Sequence, residues 1–362
     1  MQSVEKGRSP DQHIELKKMI GLLTAERILE HQKTDLRLDR SRCLRSRFCK
    51  NDCLECSKTC VNQAMTVEGG KISRDEDRCK GCLLCVSNCP SDAISWKNGW
   101  HWNMIDTVKK NAKTLLGCQK SLTMDSHIKV PCLGMFSEAF LMALFFSIDK
   151  PVNIDATFCS ECENRHIMPV FEQRLSNIAE KLDISITDRI CFLREKSQVK
   201  EMQREVGRRK FFGDLKNIIV PNAQRTRTPK FDPSATIFSL KKQPPNTELL
   251  FFAVLQAPTK IRDRVLKHYF FSIDVAPQCK LCGGCAAMCP TGALKLKREE
   301  HGKQLHFRMF NCNGCHLCQE FCKQKAISVR AGKEKTMPVA DSKLYSEPAE
   351  SSIEILNHNY SN

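Results

Sequence analysis

The chain has 362 residues, a formal net charge of +16, and 41% hydrophobic content, which is too apolar for a wholly disordered polypeptide. At roughly 150 residues per domain it should hold two or three domains. Its longest apolar run, Ala139–Phe146, falls far short of the roughly 20 residues a bilayer-crossing helix needs, and the charged opening shows no secretory signal, so neither membrane insertion nor conventional export is expected.

Residues 1–40 form a predicted helical segment, with Ile14, Met19, Leu22, Leu23 and Ile28 on a helical apolar pattern that packs on a neighbouring domain or docks a partner. Residues 41–100 carry Cys49-x3-Cys53-x2-Cys56-x3-Cys60, with Cys43 just upstream. Cys79-x2-Cys82-x2-Cys85-x3-Cys89-Pro90 follows. Met65–Ile72 between the two runs reads as a hairpin turning at Gly69-Gly70.

Residues 110–195 change character. Apolar stretches end at Cys118 and Cys132, Ser137 is a predicted N-cap for a helix carrying Phe140, Leu141, Leu144 and Phe145, and Val152–Ala156 reads as a strand leading to Cys159 and Cys162. An amphipathic helix over Val170–Leu182 and a strand over Ile184–Phe192 complete the alternation. Strands alternating with helices predict a small α/β domain with a parallel sheet. Cys118, Cys132 and Cys159 then stand at carboxyl ends of strands, the edge where ligands bind in open α/β sheets. Together with Cys162 they are candidates for an additional metal or redox site; the bland alternative is four packed thiols. Cys191, in an apolar strand, reads as a packed thiol.

Residues 196–272 read as a basic helix and a proline-rich linker. Lys196, Lys200, Arg204, Arg208, Arg209, Lys210 and Lys216 form a solvated face or a docking patch, and Pro221, Pro229, Pro233, Pro244 and Pro245 crowd the stretch beyond. Residues 273–331 carry Cys279-x2-Cys282-x2-Cys285-x3-Cys289-Pro290 and Cys312-x2-Cys315-x2-Cys318-x3-Cys322, with a hairpin over Leu294–Phe307. Residues 332–362 are polar and aperiodic, a predicted disordered tail.

The four cysteine runs are one internal repeat. Four residues past the last cysteine of each stands an alanine, at Ala64, Ala93, Ala293 and Ala326, followed by a short apolar alternation. Cysteines this close along a chain converge on a metal more easily than they pair as disulfides, and they imply a reducing compartment, the cytoplasm. Zinc ribbons also use C-x2-C, but as two separated pairs; an unbroken 2-2-3 spacing suits a [4Fe–4S] cube.

With these runs the chain resembles the bacterial 2[4Fe–4S] ferredoxin family over about 50 residues at each end. The resemblance implies crossed ligand sets, in which the fourth cysteine of each run reaches the other cluster of its pair. Cluster one takes Cys53, Cys56 and Cys89 with Cys49 or Cys43; cluster two takes Cys79, Cys82, Cys85 and Cys60. The C-terminal module gives Cys279, Cys282, Cys285 with Cys322, and Cys312, Cys315, Cys318 with Cys289. Val61 and Lys323 stand where the family pattern has proline, and the first run has C-x3-C where the pattern has C-x2-C. Four oxidised cubes with their thiolates would bring the charge to about +8, so much of the basic excess offsets clusters and no nucleic-acid partner is expected.

Through Gly117-Cys118, Val130-Pro-Cys-Leu-Gly-Met135 and Cys159-Ser-Glu-Cys162, the middle segment is similar to the iron–sulfur delta subunits of certain hydrogenases and heterodisulfide reductase complexes. The expected fold class is therefore α+β, two ferredoxin-like 2[4Fe–4S] domains flanking a small α/β parallel-sheet domain. The resemblance implies a non-catalytic electron-transfer subunit, a polyferredoxin with about four [4Fe–4S] clusters. It would serve a partner such as a formate dehydrogenase, hydrogenase or heterodisulfide reductase. The alternatives are a redox enzyme or sensor acting through the central cysteines, and a zinc-bearing nucleic-acid binder.

Overall fold

The computed structural model describes residues 36–96, 100–111, 113–121, 128–204, 244–299, 302–332 and 342–346. Of the helical segment expected over residues 1–40, residues 1–35 lie outside the described residues and Leu36–Leu38 is a strand instead; the basic and proline-rich stretch from 205 to 243 also lies outside them.

Each half of the cysteine repeat folds the same way. In the first, β1 (Leu36–Leu38) pairs antiparallel with β4 (Ile94–Trp96), so the strand before the first run closes on the strand after the second. Between them lie the short helices α1 (Leu44–Arg47) and α2 (Glu55–Lys58), the hairpin β2 (Met65–Glu68) and β3 (Lys71–Arg74), and α3 (Leu84–Ser87). The ferredoxin-like module thus begins at Leu36, not at residue 41, because its closing strand needs β1 as partner.

The C-terminal module repeats the plan. There β9 (Phe271–Val275) pairs with β12 (Ile327–Ala331), enclosing α9 (Gly284–Met288), the hairpin β10 (Leu294–Glu299) and β11 (Gly302–Phe307), and α10 (Leu317–Phe321). One expectation fails here. Ser342–Ser346, placed by sequence in a disordered tail, forms β13 and pairs antiparallel with β11. The unpaired backbone groups along the open edge of β11 supply the reason: a short segment satisfies them without an apolar periodicity of its own.

Between the modules, α4 (Trp100–Lys110) leads to a four-stranded parallel sheet in the order β6-β5-β7-β8. Its strands are β5 (Thr114–Cys118), β6 (Ile128–Val130), β7 (Val152–Asp155) and β8 (Ile190–Leu193). The expected parallel sheet is present, with the last strand shorter than predicted. Helix α5 (Glu138–Ser147) is apolar on every side and Ala139 through Phe145 are all buried, as such a helix must be. Ser137 caps it, its Oγ accepting the Phe140 N–H at 3.2 Å. Helix α6 (Ile167–Leu182) buries Ile167, Phe171, Leu175, Ile178 and Leu182 along one face.

The basic helix expected from residue 196 is present over 196–204, but the linker reading of the far end requires correction, since α7 (Pro245–Gln256) and α8 (Thr259–Tyr269) occupy it. Pro245 does not break α7 but begins it, since the first helical position needs no N–H and suits proline's fixed φ. Leu249, Ala253 and Val254 are buried as the helix packs against α5. No helix among the described residues is long and apolar enough to cross a membrane.

Candidate iron–sulfur and thiol sites

None of the 22 cysteines is joined in a disulfide. Three of the four runs share one backbone device. In the second, Gly81 and Leu83 have positive φ (64° and 62°); in the third, Leu281 and Gly283 (45° and 77°); in the fourth, Gly314 and His316 (65° and 57°). Left-handed backbone costs roughly 1–2 kcal/mol in a residue with a Cβ, so a leucine or histidine there reflects a constraint from elsewhere. Alternating right- and left-handed residues turn successive N–H groups to one side and form a concave nest for anions. The N–H of Leu84 favours the thiolate of Cys82, that of Leu281 does so for Cys279, and those of Gly314 and Leu317 do so for Cys312 and Cys315. At Gly314 a Cβ would also lie 2.2 Å from the Phe271 ring, so only glycine fits. His316, exposed, contributes only this backbone turn.

A second device explains the repeated alanines. The residue before each one is left-handed: Gln63, Asp92, Gly292 and Lys325, with φ of 49°, 50°, 72° and 49°. The turn aims the alanine N–H back at the last cysteine of the run. Ala64 donates to Cys60 Sγ at 3.2 Å, Ala93 to Cys89 Sγ at 3.2 Å and Ala326 to Cys322 Sγ at 3.4 Å. In the third run Thr291 intervenes, its Oγ1 lying 3.5 Å from Cys289 Sγ and accepting the Ala293 N–H at 3.3 Å. The alanines are at most 2% exposed, leaving no room for a larger side chain.

Electrostatics group the thiols across runs. Burial first, and then the charges of Cys89, Cys53 and Cys43, push the Cys56 thiol up to about 12. Cys85 is raised by burial, by Cys82, Cys79 and Cys60, and last by Cys56 of the neighbouring set. Burial, with Cys279, Cys282 and Cys322, pushes Cys285 up to about 12, and Cys318 is raised by burial, by Cys315 and Cys289, and then by Cys285 of the neighbouring set. In each case the last cysteine of one run sits among the first three of its neighbour. Cys43, at the start of α1 and buried, stands with Cys53 and Cys56, whereas Cys49 is exposed. Crowded thiols of this kind resist joint deprotonation until a cationic core compensates them. Among the described residues no three His, Cys, Asp or Glu side chains close on a single metal ion. The fit of a cofactor therefore rests on the crossed grouping and on the N–H groups turned toward sulfur, which suit an anionic iron–sulfur cube better than Zn²⁺.

The central cysteines also meet. Cys118, Cys132, Cys159 and Cys162 line one cavity with Lys120, Asp155, Phe158 and Asn164, at the carboxyl edge of the sheet where β5 stands between β6 and β7. This is the point at which the strand order reverses, the usual ligand position in open α/β sheets. Burial and then the charges of Cys118 and Cys162 push Cys159 up to about 12; Cys132 reaches about 12 through burial, Cys118, Cys82 and Cys162. The residue two beyond the cysteine again donates to sulfur: Lys120 to Cys118, Gly134 to Cys132, and Asn164 to Cys162 at 3.4 Å. Cys191 stands apart, donating to the Thr187 carbonyl at 3.3 Å.

The cavity is seated against the second run. Asn164 Nδ2 donates to the Lys80 carbonyl at 3.0 Å, and Ser87 Oγ donates to the Gly134 carbonyl at 2.6 Å. A Cβ at Gly134 would fall 2.1 Å from the Cys82 carbonyl oxygen, so that approach requires glycine. Arg174, buried on α6, donates to the Phe136 carbonyl, to Ser87 and to Asn88.

Comparison with known proteins finds iron–sulfur families at both cysteine-run modules. Residues 278–335 match the 4Fe–4S dicluster domain family and residues 72–95 the 4Fe–4S binding domain family. The chain is 36% identical over 81 residues to polyferredoxin protein MvhB of Methanothermobacter marburgensis, covering 19% of this chain and 20% of that protein. It is 39% identical over 51 residues to a ferredoxin of Methanothermococcus thermolithotrophicus, covering 14% of this chain and 85% of that protein. With pyruvate synthase subunit PorD of Thermotoga maritima it shares 43% identity over 47 residues, 13% of this chain and 48% of that subunit. No solved structure gives a significant match.

Proposed function

The chain belongs to the ferredoxins through its two cysteine-run modules, and from that premise we propose that it is a polyferredoxin relaying single electrons through four [4Fe–4S] clusters for a partner oxidoreductase. Iron–sulfur electron transfer on multiple [4Fe–4S] clusters is what the family does. The cluster count, the ligands and the partner are our reading. Each cube, when bound, takes up and gives back one electron without a bond being made or broken.

The observation that carries the reading is the crossed grouping of thiols. It supports Cys43, Cys53, Cys56 and Cys89 as the first ligand set, with Cys43 in place of Cys49, and Cys60, Cys79, Cys82 and Cys85 as the second. Cys279, Cys282, Cys285 and Cys322 form the third, and Cys289, Cys312, Cys315 and Cys318 the fourth. The chain's own work is to hold sixteen thiolates in these sets and to turn N–H groups onto them, which stabilises the added negative charge on reduction.

The central cavity supports a further redox or metal site of Cys118, Cys132, Cys159 and Cys162, because its thiols carry the same N–H geometry as the ferredoxin ligands. A partner among the formate dehydrogenases, hydrogenases or heterodisulfide reductases fits the fusion of such modules to an α/β domain. The likeness to a polyferredoxin and to a subunit named for pyruvate synthase supports service to an oxidoreductase complex. Coulometric reduction tests the proposal. Reversible uptake of about four electrons per chain at the ferredoxin sets is expected. Uptake of none, with substrate turnover at the central thiols instead, would turn the reading toward an enzyme.

A further inference from the structure

Among the described residues the two ferredoxin modules meet at a seam, and its hydrogen-bonding residues lie beside cysteines of two particular sets. Arg47 ends α1, which opens just after Cys43. Its NH1 donates to the Ser41 carbonyl at 2.6 Å, its Nε to the Met288 carbonyl at 2.9 Å and its NH2 to the Ala287 carbonyl at 2.7 Å. Met288 directly precedes Cys289, and the guanidinium charge is felt at Cys289 and Cys315. Asn313, between Cys312 and Cys315, donates to the Pro90 carbonyl at 2.8 Å, next to Cys89. Asn51, 2% exposed, accepts the Cys53 N–H at 3.1 Å and donates to Glu320 at 2.6 Å, two residues past Cys318. Phe48 meets Phe321 edge-on, centroids 5.4 Å apart.

The hydrogen bonds of Arg47, Asn51 and Asn313 across the seam each join a neighbour of the first set to a neighbour of the fourth. We propose that electrons cross between the modules at this seam, the first set losing one electron as the fourth gains one, and that Arg47 is the positioning residue for the crossing. The inference rests on the reading of the runs as [4Fe–4S] ligand sets. With the central cavity seated on the second run, the order along the chain's interior is central cavity, second, first, fourth, third. Cys282 of the third set is exposed, which leaves that end open to an external donor or acceptor.

The physical role of Arg47 is twofold. Its fork binds two consecutive carbonyls of the other module, a geometry lysine does not reproduce. Its permanent positive charge, half-buried between two sets that each become more negative on reduction, favours the reduced form of both.

The test uses the anaerobically purified full chain, with dithionite as reductant and EPR-monitored redox titration as readout. Iron and sulfide are measured first, since a parent protein without them refutes the ferredoxin reading itself rather than the seam. In Arg47→Gln we expect full iron and sulfide and a shift to lower potential in two signals only, those that Cys56→Ser and Cys315→Ser remove. Arg47→Lys should restore the potentials. Should Arg47→Gln lose iron, Asn313→Leu decides. It removes one seam hydrogen bond and no charge, and is expected to slow equilibration between the modules after rapid mixing at unchanged potentials. Unchanged potentials in an iron-replete Arg47→Gln, or unchanged equilibration in Asn313→Leu, would overturn the proposal.

Discussion

Replacing Arg174 by methionine removes a buried guanidinium while keeping an unbranched apolar stem of similar length. Arg174 is 7% exposed and donates to the carbonyls of Gly134 (3.3 Å) and Phe136 (2.6 Å), to Ser87 Oγ (2.9 Å) and to Asn88 Oδ1. Burial lowers its pKa from 12.5 to about 10, so it remains charged at neutral pH. Substitution returns that desolvation cost, about 3 kcal/mol at 1.36 kcal/mol per pKa unit. Against it stand four acceptors deprived of a charged donor; at about 2 kcal/mol each the gross loss is about 8 kcal/mol. The net, about 4–5 kcal/mol, agrees with the 3–5 kcal/mol typical when one member of a buried charged set is removed. The loss should be local, because these bonds fasten the turn carrying Gly134 to the helix carrying Ser87. Amide hydrogen exchange on the cluster-loaded protein should show residues 84–88 and 133–137 opening roughly 10³-fold more often. Acceleration of less than about tenfold would mean that the central domain is held to the second run by apolar packing and that Arg174 is incidental.

Three further outcomes follow from particular residues. Cys43→Ser should lose about four iron per chain and Cys49→Ser none, by iron analysis, since Cys43 stands in the first set and Cys49 is exposed. His101, 5% exposed, is pushed by desolvation down to about 4. Because its folded pKa lies below the unfolded value of about 6.5, its contribution is present above pH 6.5 and lost as the pH falls toward 4, up to about 3 kcal/mol. His101→Phe should remove that slope from the pH dependence of urea unfolding, and an identical slope in parent and variant would refute the burial argument. Ser137→Ala should cost about 1 kcal/mol in the same unfolding assay, for a helix cap whose Oγ also donates to Asn246 at 2.6 Å.

What the sequence made legible was whatever a residue type alone can announce. Cysteine spacing predicted the runs, Gly69-Gly70 the first hairpin, and Ser137 the cap of α5. The strand-end position of Cys118, Cys132 and Cys159 was visible because apolar stretches stop there. Features set by backbone conformation or distant partners were not. The left-handed residue before each tail alanine is Gln, Asp, Gly or Lys, so no composition signal marks it, although the alanine it serves was plain. Pro244 and Pro245 suggested a linker because proline signals breaks more often than starts, and the apolar run Leu249–Leu255 behind them was the overlooked clue. The choice between Cys43 and Cys49 depended on which sulfur the fold buries. The seam between the modules, built from Arg47, Asn51 and Asn313, has no local pattern at all, since each of these side chains acts on a carbonyl or carboxylate more than 200 residues away in sequence.

The central claim is that the four cysteine runs are iron–sulfur ligand sets. Iron, acid-labile sulfide and zinc, measured per chain on the anaerobically purified protein, test it most directly. The account predicts about 16 iron and 16 sulfide, with any excess assignable to the central cavity by its loss in a Cys159→Ser, Cys162→Ser double variant. Stoichiometric zinc without labile sulfide would contradict it.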